Sequence, residues 1–273
     1  MSNLGTNASG KRLLAISAAL LLSATIAGCA NRGMTTGSIS RDSGKPLAQM
    51  SAQELDGAAD SLGKAFARNP KDRQTAIRYA NVLQMNGRAD QSLAVMRTLA
   101  IGYPKDRDVL AAYGKALAAD GQLRPALDAI QRAQTPEYPD WKLVSAEGAI
   151  LDQLGETAKA RQLYRKALDL QPDEPSILSN LGMSYVLEGD LRTAETYMRK
   201  ASTQKGADSR VRQNLALVVG LQGRFQEAEE IASQELSPEQ AQANVTYLRS
   251  MLAQQNAWSQ LKKDDKDKET NTN

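Results

Sequence analysis

The sequence predicts an all-α solenoid of stacked helix-turn-helix units closed by helical caps. Three observations point there. Gly87, Gly121, Gly155, Gly189 and Gly223 recur at a fixed spacing of 34 residues, and a period of that length marks a repeat array. A small residue stands seven places before each glycine (Ala80, Gly114, Gly148, Gly182, Ala216), and another five places after it (Ser92, Ala126, Ala160, Ala194, Ala228). Alanine, leucine and glutamine are plentiful while β-branched residues are sparse, which favours helix over strand. An array of this kind has no single deep pocket by default, so function is sought on its concave surface and at its ends.

The amino terminus reads as an address. Residues 1–10 are polar, Lys11 and Arg12 add positive charge, and Leu13 to Ala27 is apolar except for Ser17, Ser23 and Thr25. That run is shorter than the ~20 residues a membrane-spanning helix needs, and its order is that of a secretory signal. It ends in Ile26-Ala27-Gly28-Cys29, which resembles a bacterial lipobox. The resemblance implies that residues 1–28 are removed as a signal peptide, that Cys29 is diacylated on sulfur and that the new amino terminus is acylated. With Ala30 in place of aspartate, resemblance to enterobacterial sorting implies the outer membrane. Anchoring by more than one acyl chain is strong. Residues 29–50 are polar and rich in Gly, Ser and Thr, as expected of a flexible tether. The repeats are then expected in the periplasm, near the inner leaflet.

Residues 51–72 open with Ser51 and Glu54, a capping box, and are expected to form a helix to about Arg68. Ala58, Ala65 and Pro70 fall at the twentieth, twenty-seventh and thirty-second places of a preceding unit, which makes this segment a second helix lacking a first. Five units follow over 73–236, starting at Arg73, Arg107, Trp141, Pro175 and Ser209. Their first helices carry apolar residues at spacings of three and four, as in Leu110, Tyr113 and Leu117 or Leu178, Leu181 and Tyr185. Pro104 and Pro172 close units, since proline cannot continue a helix. These residues resemble the tetratricopeptide repeat, most clearly over 141–174 with Gly148, Gly155, Ala160, Tyr164, Ala167 and Pro172. That resemblance implies a right-handed superhelix. The departures from its pattern are Ala76, Leu110, Val144, Leu178 and Arg212 at the tryptophan place, Glu147 for a leucine and Gly206 for a proline. Residues 237–261 begin Ser237-Pro-Glu-Gln and form a capping helix, with Ala243, Tyr247, Leu248 and Leu252 expected on one face. Residues 262–273 are charged, free of apolar side chains and expected to be disordered.

Much chemistry is excluded. The formal charge is +3, and Lys11 and Arg12 leave with the signal, so no basic stripe suited to nucleic acid remains. There is no histidine and one cysteine, which removes His-based general-base catalysis, Cys/His metal sites and internal disulfides. Nothing places two carboxylates on one cleft wall, and the glycines are turn residues rather than a phosphate loop. No catalytic residue, cofactor, metal or small-molecule substrate is expected.

In repeats of this family the first helices line the concave groove. In the fourth and fifth units Met183, Val186, Leu187, Leu217 and Leu221 share helical faces, an arrangement suited to an amphipathic helix or a hydrophobic peptide. Asn180, Arg210, Gln213 and Asn214, with Ser179, are placed to bond a peptide backbone. Two readings stay open: a partner occupies this groove, or the carboxy-terminal helix folds into it. The two-lysine, two-asparagine, one-arginine clamp for carboxylates is ruled out, because Ile77, Asn81, Ala112, Lys142 and Ala146 lack its charge.

The stretches from Asp140, from Ser209 and from Leu236 to Trp258 resemble the TadD family of tight-adherence (Flp) pilus assembly lipoproteins, a similarity spanning roughly 106–261. It implies an outer-membrane-anchored adaptor, or pilotin, whose partner is the pilus secretin or another component of that system. An adaptor or regulator for another pilus, for outer-membrane barrel assembly or for murein hydrolases shares every feature except this carboxy-terminal match.

Overall fold

The computed structural model describes Leu47 and residues 50–270, with side chains to Gln255. The expected signal peptide, Cys29 and most of the tether lie outside these residues, as do residues 271–273. Twelve helices make up the described residues: α1 (Ala52–Arg68), α2 (Arg73–Met85), α3 (Ala89–Gly102), α4 (Arg107–Ala119), α5 (Leu123–Ala133), α6 (Trp141–Gln153), α7 (Thr157–Leu170), α8 (Pro175–Glu188), α9 (Leu191–Ser202), α10 (Ser209–Leu221), α11 (Phe225–Ala232) and α12 (Pro238–Thr270). The chain divides after Glu156 into two compact units, the first holding α1–α6 and the second α7–α12.

The helix boundaries follow from two local devices repeated along the chain. Every first helix (α2, α4, α6, α8, α10) starts directly after an acidic cap, namely Asp72, Asp106, Asp140, Glu174 and Asp208, whose carboxylate accepts a backbone N–H of the first turn. An anion there satisfies an orphan donor and meets the positive end of the helix dipole, together contributing about 1 kcal/mol. The glycines supply the second device. Gly87, Gly121, Gly155, Gly189 and Gly223 have φ between +71° and +82°, a region in which a Cβ is strained. The next residue donates back five places in every case, from Arg88 to Leu83 O, Gln122 to Leu117 O, Glu156 to Leu151 O, Asp190 to Tyr185 O and Arg224 to Val219 O. This bond closes the helix as a Schellman cap.

In the first unit α4 and α5 meet so closely that a Cβ on Gly114 would stand 2.8 Å from Ile130 Cγ1 and 3.2 Å from Ala126 O. Between α2 and α3 Ala80 stands at the place of Gly114, and Ser92, at the place of Ala126, is buried with its hydroxyl donating to Ala80 O at 2.8 Å. Neighbouring repeats are braced by side chains at their loops: Arg107 donates to Ala133 O (2.9 Å) and Tyr138 O (3.1 Å), and Arg73 pairs with Asp106. Glu147, unexpected where leucine is usual, accepts from Gln131 of α5 and from Gln134 just past its end, at 2.8 and 2.5 Å. At the amino-terminal end Leu55 and Ala59 of α1 are buried with Val82 of α2, whereas Ala58 and Ala65 are half-buried. Both bonds of the Ser51/Glu54 box are present. The tether is shorter than expected, because Leu47 and Met50 pack against the Leu55–Ala59–Val82 cluster; two apolar residues there gain by covering the open side of α1.

In the second unit a Cβ on Gly182 would lie 3.0 Å from Met198 Cε and 3.1 Å from Ala194 O, so α8 and α9 approach as α4 and α5 do. Ala194, Met198, Leu215, Val218, Val219, Ala228 and Val245 form one buried cluster. Beside it Glu195 of α9 pairs with Arg224, accepts from Gln222 (2.8 Å) and pairs with Arg199, which also holds Glu227. The Arg224 hydrogen bond, supported by Gln222 and Arg199, lowers the Glu195 pKa to about 2.

The carboxy-terminal end departs from expectation in three ways. α11 has 8 residues where α9 has 12, so one turn is missing. α12 consequently begins out of the 34-residue register. Its buried side is Ala241, Val245 and Leu248, whereas Ala243 is exposed and Tyr247 is 55% exposed. Finally, α12 continues to Thr270, so residues 262–270 are helical instead of disordered; no glycine or proline interrupts 239–270, and lysine and glutamate are good helix formers.

Candidate functional site

The expected groove residues lie on α8 and α10, within the second unit. Met183 and Val186 are half-buried and pack against the cluster containing Leu215, Val218 and Val219, so they fill the seam between the two first helices. Leu187, Leu217 and Leu221 are half-buried. Asn180 is half-buried as well. None of these side chains carries charge, and spacings of three and four put the apolar ones of each helix on one helical face.

The polar residues divide. Asn214 is committed within the array, its Nδ2 donating to Ser179 Oγ at 3.1 Å across the seam, and that hydroxyl lies 3.5 Å from Met198 Sδ. Gln213 is exposed and donates to Ser209 Oγ at 2.9 Å. Arg210 stands at the edge with 83% of its side chain exposed, paired to Asp208 at 2.8 Å. Burial opposes the Asp208 charge, yet the Arg210 guanidinium and the Val211 N–H hold its carboxyl below the usual range. This acid caps α10 through the Val211 N–H. Arg212, at the place of the repeat's tryptophan, pairs with Glu235 and donates to Ala207 O at 3.0 Å.

α12 is held by α10 and α11. Ala241 clusters with Ala216 and Ala232, and Leu248 rests on Gly220, where a Cβ would stand 2.5 Å from its Cδ2. Arg249 lies over the Phe225 ring at 4.7 Å. Sequence reasoning missed two features here. The acidic caps recur at the glycine period (Asp72, Asp106, Asp140, Glu174, Asp208) and were legible as such. The exposure of Tyr247 was hidden because 243, 247, 248 and 252 offer an apolar face of their own, whereas the buried one is 241, 245 and 248.

Equivalent places in the first unit are different. Where α8 and α10 have Met183 and Leu217, helices α2, α4 and α6 have Asn81, Lys115 and Ala149. Among the described residues no group of three or more Cys, Asp or Glu side chains is placed to hold a metal ion.

Models of the tetratricopeptide repeat match residues 49–116 and 175–207, and a model described as TPR repeat matches 148–189. No curated protein sequence matches the chain. Among solved structures, PilW, described as a widely conserved type IV pilus biogenesis factor, is 21% identical with a TM-score of 0.56, over 73% of this chain and 91% of PilW. TTC0263, a thermophilic TPR protein of Thermus thermophilus, is 26% identical with a TM-score of 0.54, over 61% of this chain and 91% of its own. A chain of the APC/C hetero-tetramer Cut9–Hcn1 is 16% identical with a TM-score of 0.58, over 74% of this chain and 40% of that one.

Proposed function

We propose that this tetratricopeptide-repeat protein is an assembly adaptor, binding a protein partner on the apolar strip of its carboxy-terminal unit while acyl chains on Cys29 hold it at the inner leaflet of the outer membrane. The strip carries the proposal. Met183, Leu187, Leu217 and Leu221 occupy the first-helix side of α8 and α10 with no charged residue between them, so a partner seated there desolvates no unpaired charge. An anchor of more than one acyl chain confines the adaptor to the membrane. A bound partner is thereby held close to the same surface, which raises its effective concentration without any further contact.

The finer reading is an adaptor or pilotin for the tight-adherence (Flp) pilus, with the pilus secretin or another component of that system as partner. It rests on the resemblance of residues 106–261 to the TadD lipoproteins. The likeness to PilW is one of fold alone.

Cross-linking in membranes followed by recovery of the protein tests this reading. Secretin or pilus ATPase-complex components are expected, and their yield falls when Leu187→Asp and Leu221→Asp are combined in a protein of unchanged helicity. Recovery of barrel-assembly proteins or murein hydrolases alone sinks the pilus assignment. Loss of Flp pili in a deletion strain, seen by electron microscopy, is the cellular counterpart. For the anchor, Cys29→Ser abolishes palmitate labelling; persistent labelling refutes it.

A further inference from the structure

α12 carries the same face as the first helices before it. In α8 Ile177, Leu181 and Ser184 are buried at spacings of four and three, and in α10 Val211, Leu215 and Val218 are buried at the same spacings. Ala241, Val245 and Leu248 repeat that spacing and burial in α12. A second contact fixes the same alignment. Leu248 rests on Gly220, as its counterpart Val218 shares a cluster with Val186, the counterpart of Gly220. With the triplets aligned, Tyr247 takes the place of Leu217 and Met183, Met251 that of Leu221 and Leu187, and Asn244 that of Asn214 and Asn180. The offset from α10 is 30 residues instead of 34, which is the turn missing from α11.

We propose that α12 is the third wall of the groove, adding Tyr247 and Met251 to the strip, and that the occupant is an amphipathic helix laid across α8, α10 and α12. The inference rests on the groove reading above and names the class of partner that fits it. Tyr247 is 55% exposed and Met251 half-buried, so α12 lengthens the strip rather than filling it. Packed helices lie ~8–10 Å apart, so three walls span roughly 20 Å, the length of about four helical turns. Along the strip Ser179, Gln213 and Ala243, then the asparagines, then the two apolar rows carry no charge, and Arg210 at its edge is already paired to Asp208, in a chain that is 24% charged. A charged contact face on the partner finds no counter-ion there. An extended peptide also needs partners for its own N–H and C=O groups. Asn214 and Gln213 each already commit one N–H, to Ser179 and Ser209, which leaves fewer donors for such a backbone. A helix satisfies its backbone internally and asks only for an apolar floor.

The test uses the full chain in detergent and a fluorescein-labelled 18-residue amphipathic peptide of Leu, Ala, Lys and Gln, followed by anisotropy. Two control peptides keep its composition as nearly as possible, one scrambled to remove the apolar face and one broken by a central proline. The amphipathic peptide is expected to bind at least about tenfold more tightly than either control. Tyr247→Asp with Met251→Asp, or the milder Tyr247→Ser, weakens it while circular dichroism is unchanged, and Leu187→Asp weakens it too. If Leu187→Asp weakens binding but the Tyr247 and Met251 variants do not, the third wall is overturned and the two-helix groove stands. Equal binding of the proline peptide overturns the helical occupant. If Leu187→Asp has no effect, the groove reading itself fails.

Discussion

At the ninth and thirteenth places of its first helices the amino-terminal unit carries Asn81, Lys115 and Ala149, then Met85, Ala119 and Gln153, where the carboxy-terminal unit carries Met183 and Leu217, then Leu187 and Leu221. The surrounding framework is the same in both. Each unit has acidic caps, positive-φ glycines and a glycine crossing (Gly114, Gly182) with no room for a Cβ. Packing demands those residues wherever a hairpin must form. The ninth and thirteenth places answer to no such demand, and their difference is what the proposed groove rests on. Met183, Leu187, Leu217 and Leu221 are each half-buried, so apolar surface is left on them for a partner to cover.

Four measurements break or sharpen this comparison. The largest effect is expected at the shared crossings. Gly114→Leu and Gly182→Leu each overpack a site already at 2.8–3.1 Å and are expected to cost about 3 kcal/mol, read by denaturant unfolding with hydrogen exchange resolving the two units. Tolerance of one but not the other means the frameworks are not alike. Next comes the face itself: Leu217→Asp should weaken the amphipathic peptide about tenfold, or ~1.4 kcal/mol, while Lys115→Asp leaves it unaltered. A loss with Lys115→Asp would move the partner to the first unit. Asp106→Ala and Asp208→Ala should each lower stability by about 1 kcal/mol, visible as similar falls in Tm.

The smallest effect is electrostatic and confined to the second unit. The Glu195 pKa lies at about 2 against an ordinary 4.5. A depressed carboxylate contributes stability that is fully present above pH 4.5 and is lost as pH falls toward 2. Because the network reaches the surface, the contribution is no more than about 1 kcal/mol. Glu195→Gln should flatten this part of the acid titration of thermal stability and leave the first unit's profile alone.

The framework was legible because its residues are forced. Glycine is strongly favoured at a positive φ, and the five glycines predicted all five first-helix starts, from Arg73 to Ser209. The Ser51/Glu54 and Ser237/Gln240 boxes are likewise local chemistry, and both form. What escaped was phase. Ala243, Tyr247, Leu248 and Leu252 make one apolar helical face and Ala241, Val245 and Leu248 another, and only packing against α10 and α11 selects the second. Packing of Leu47 and Met50 onto α1 was also invisible, since two apolar residues among polar ones have no period. In the groove, Met183 and Leu187 were legible by spacing, but Asn214 bonding to Ser179 depends on the distance between two helices, which no single helix encodes.

Asp106 illustrates what such a construction implies for how the array comes apart. Its carboxylate caps α4 through the Val109 N–H at 3.1 Å and also pairs with Arg73 at the start of α2. The residue that begins one repeat is therefore a partner of the repeat before it. In nearest-neighbour terms this adds to the coupling between repeats rather than to the intrinsic stability of either. Fraying of the Arg73 turn loosens the Asp106 cap, and the reverse also holds. The first unit should then melt cooperatively, as a block, instead of shedding hairpins singly from its end.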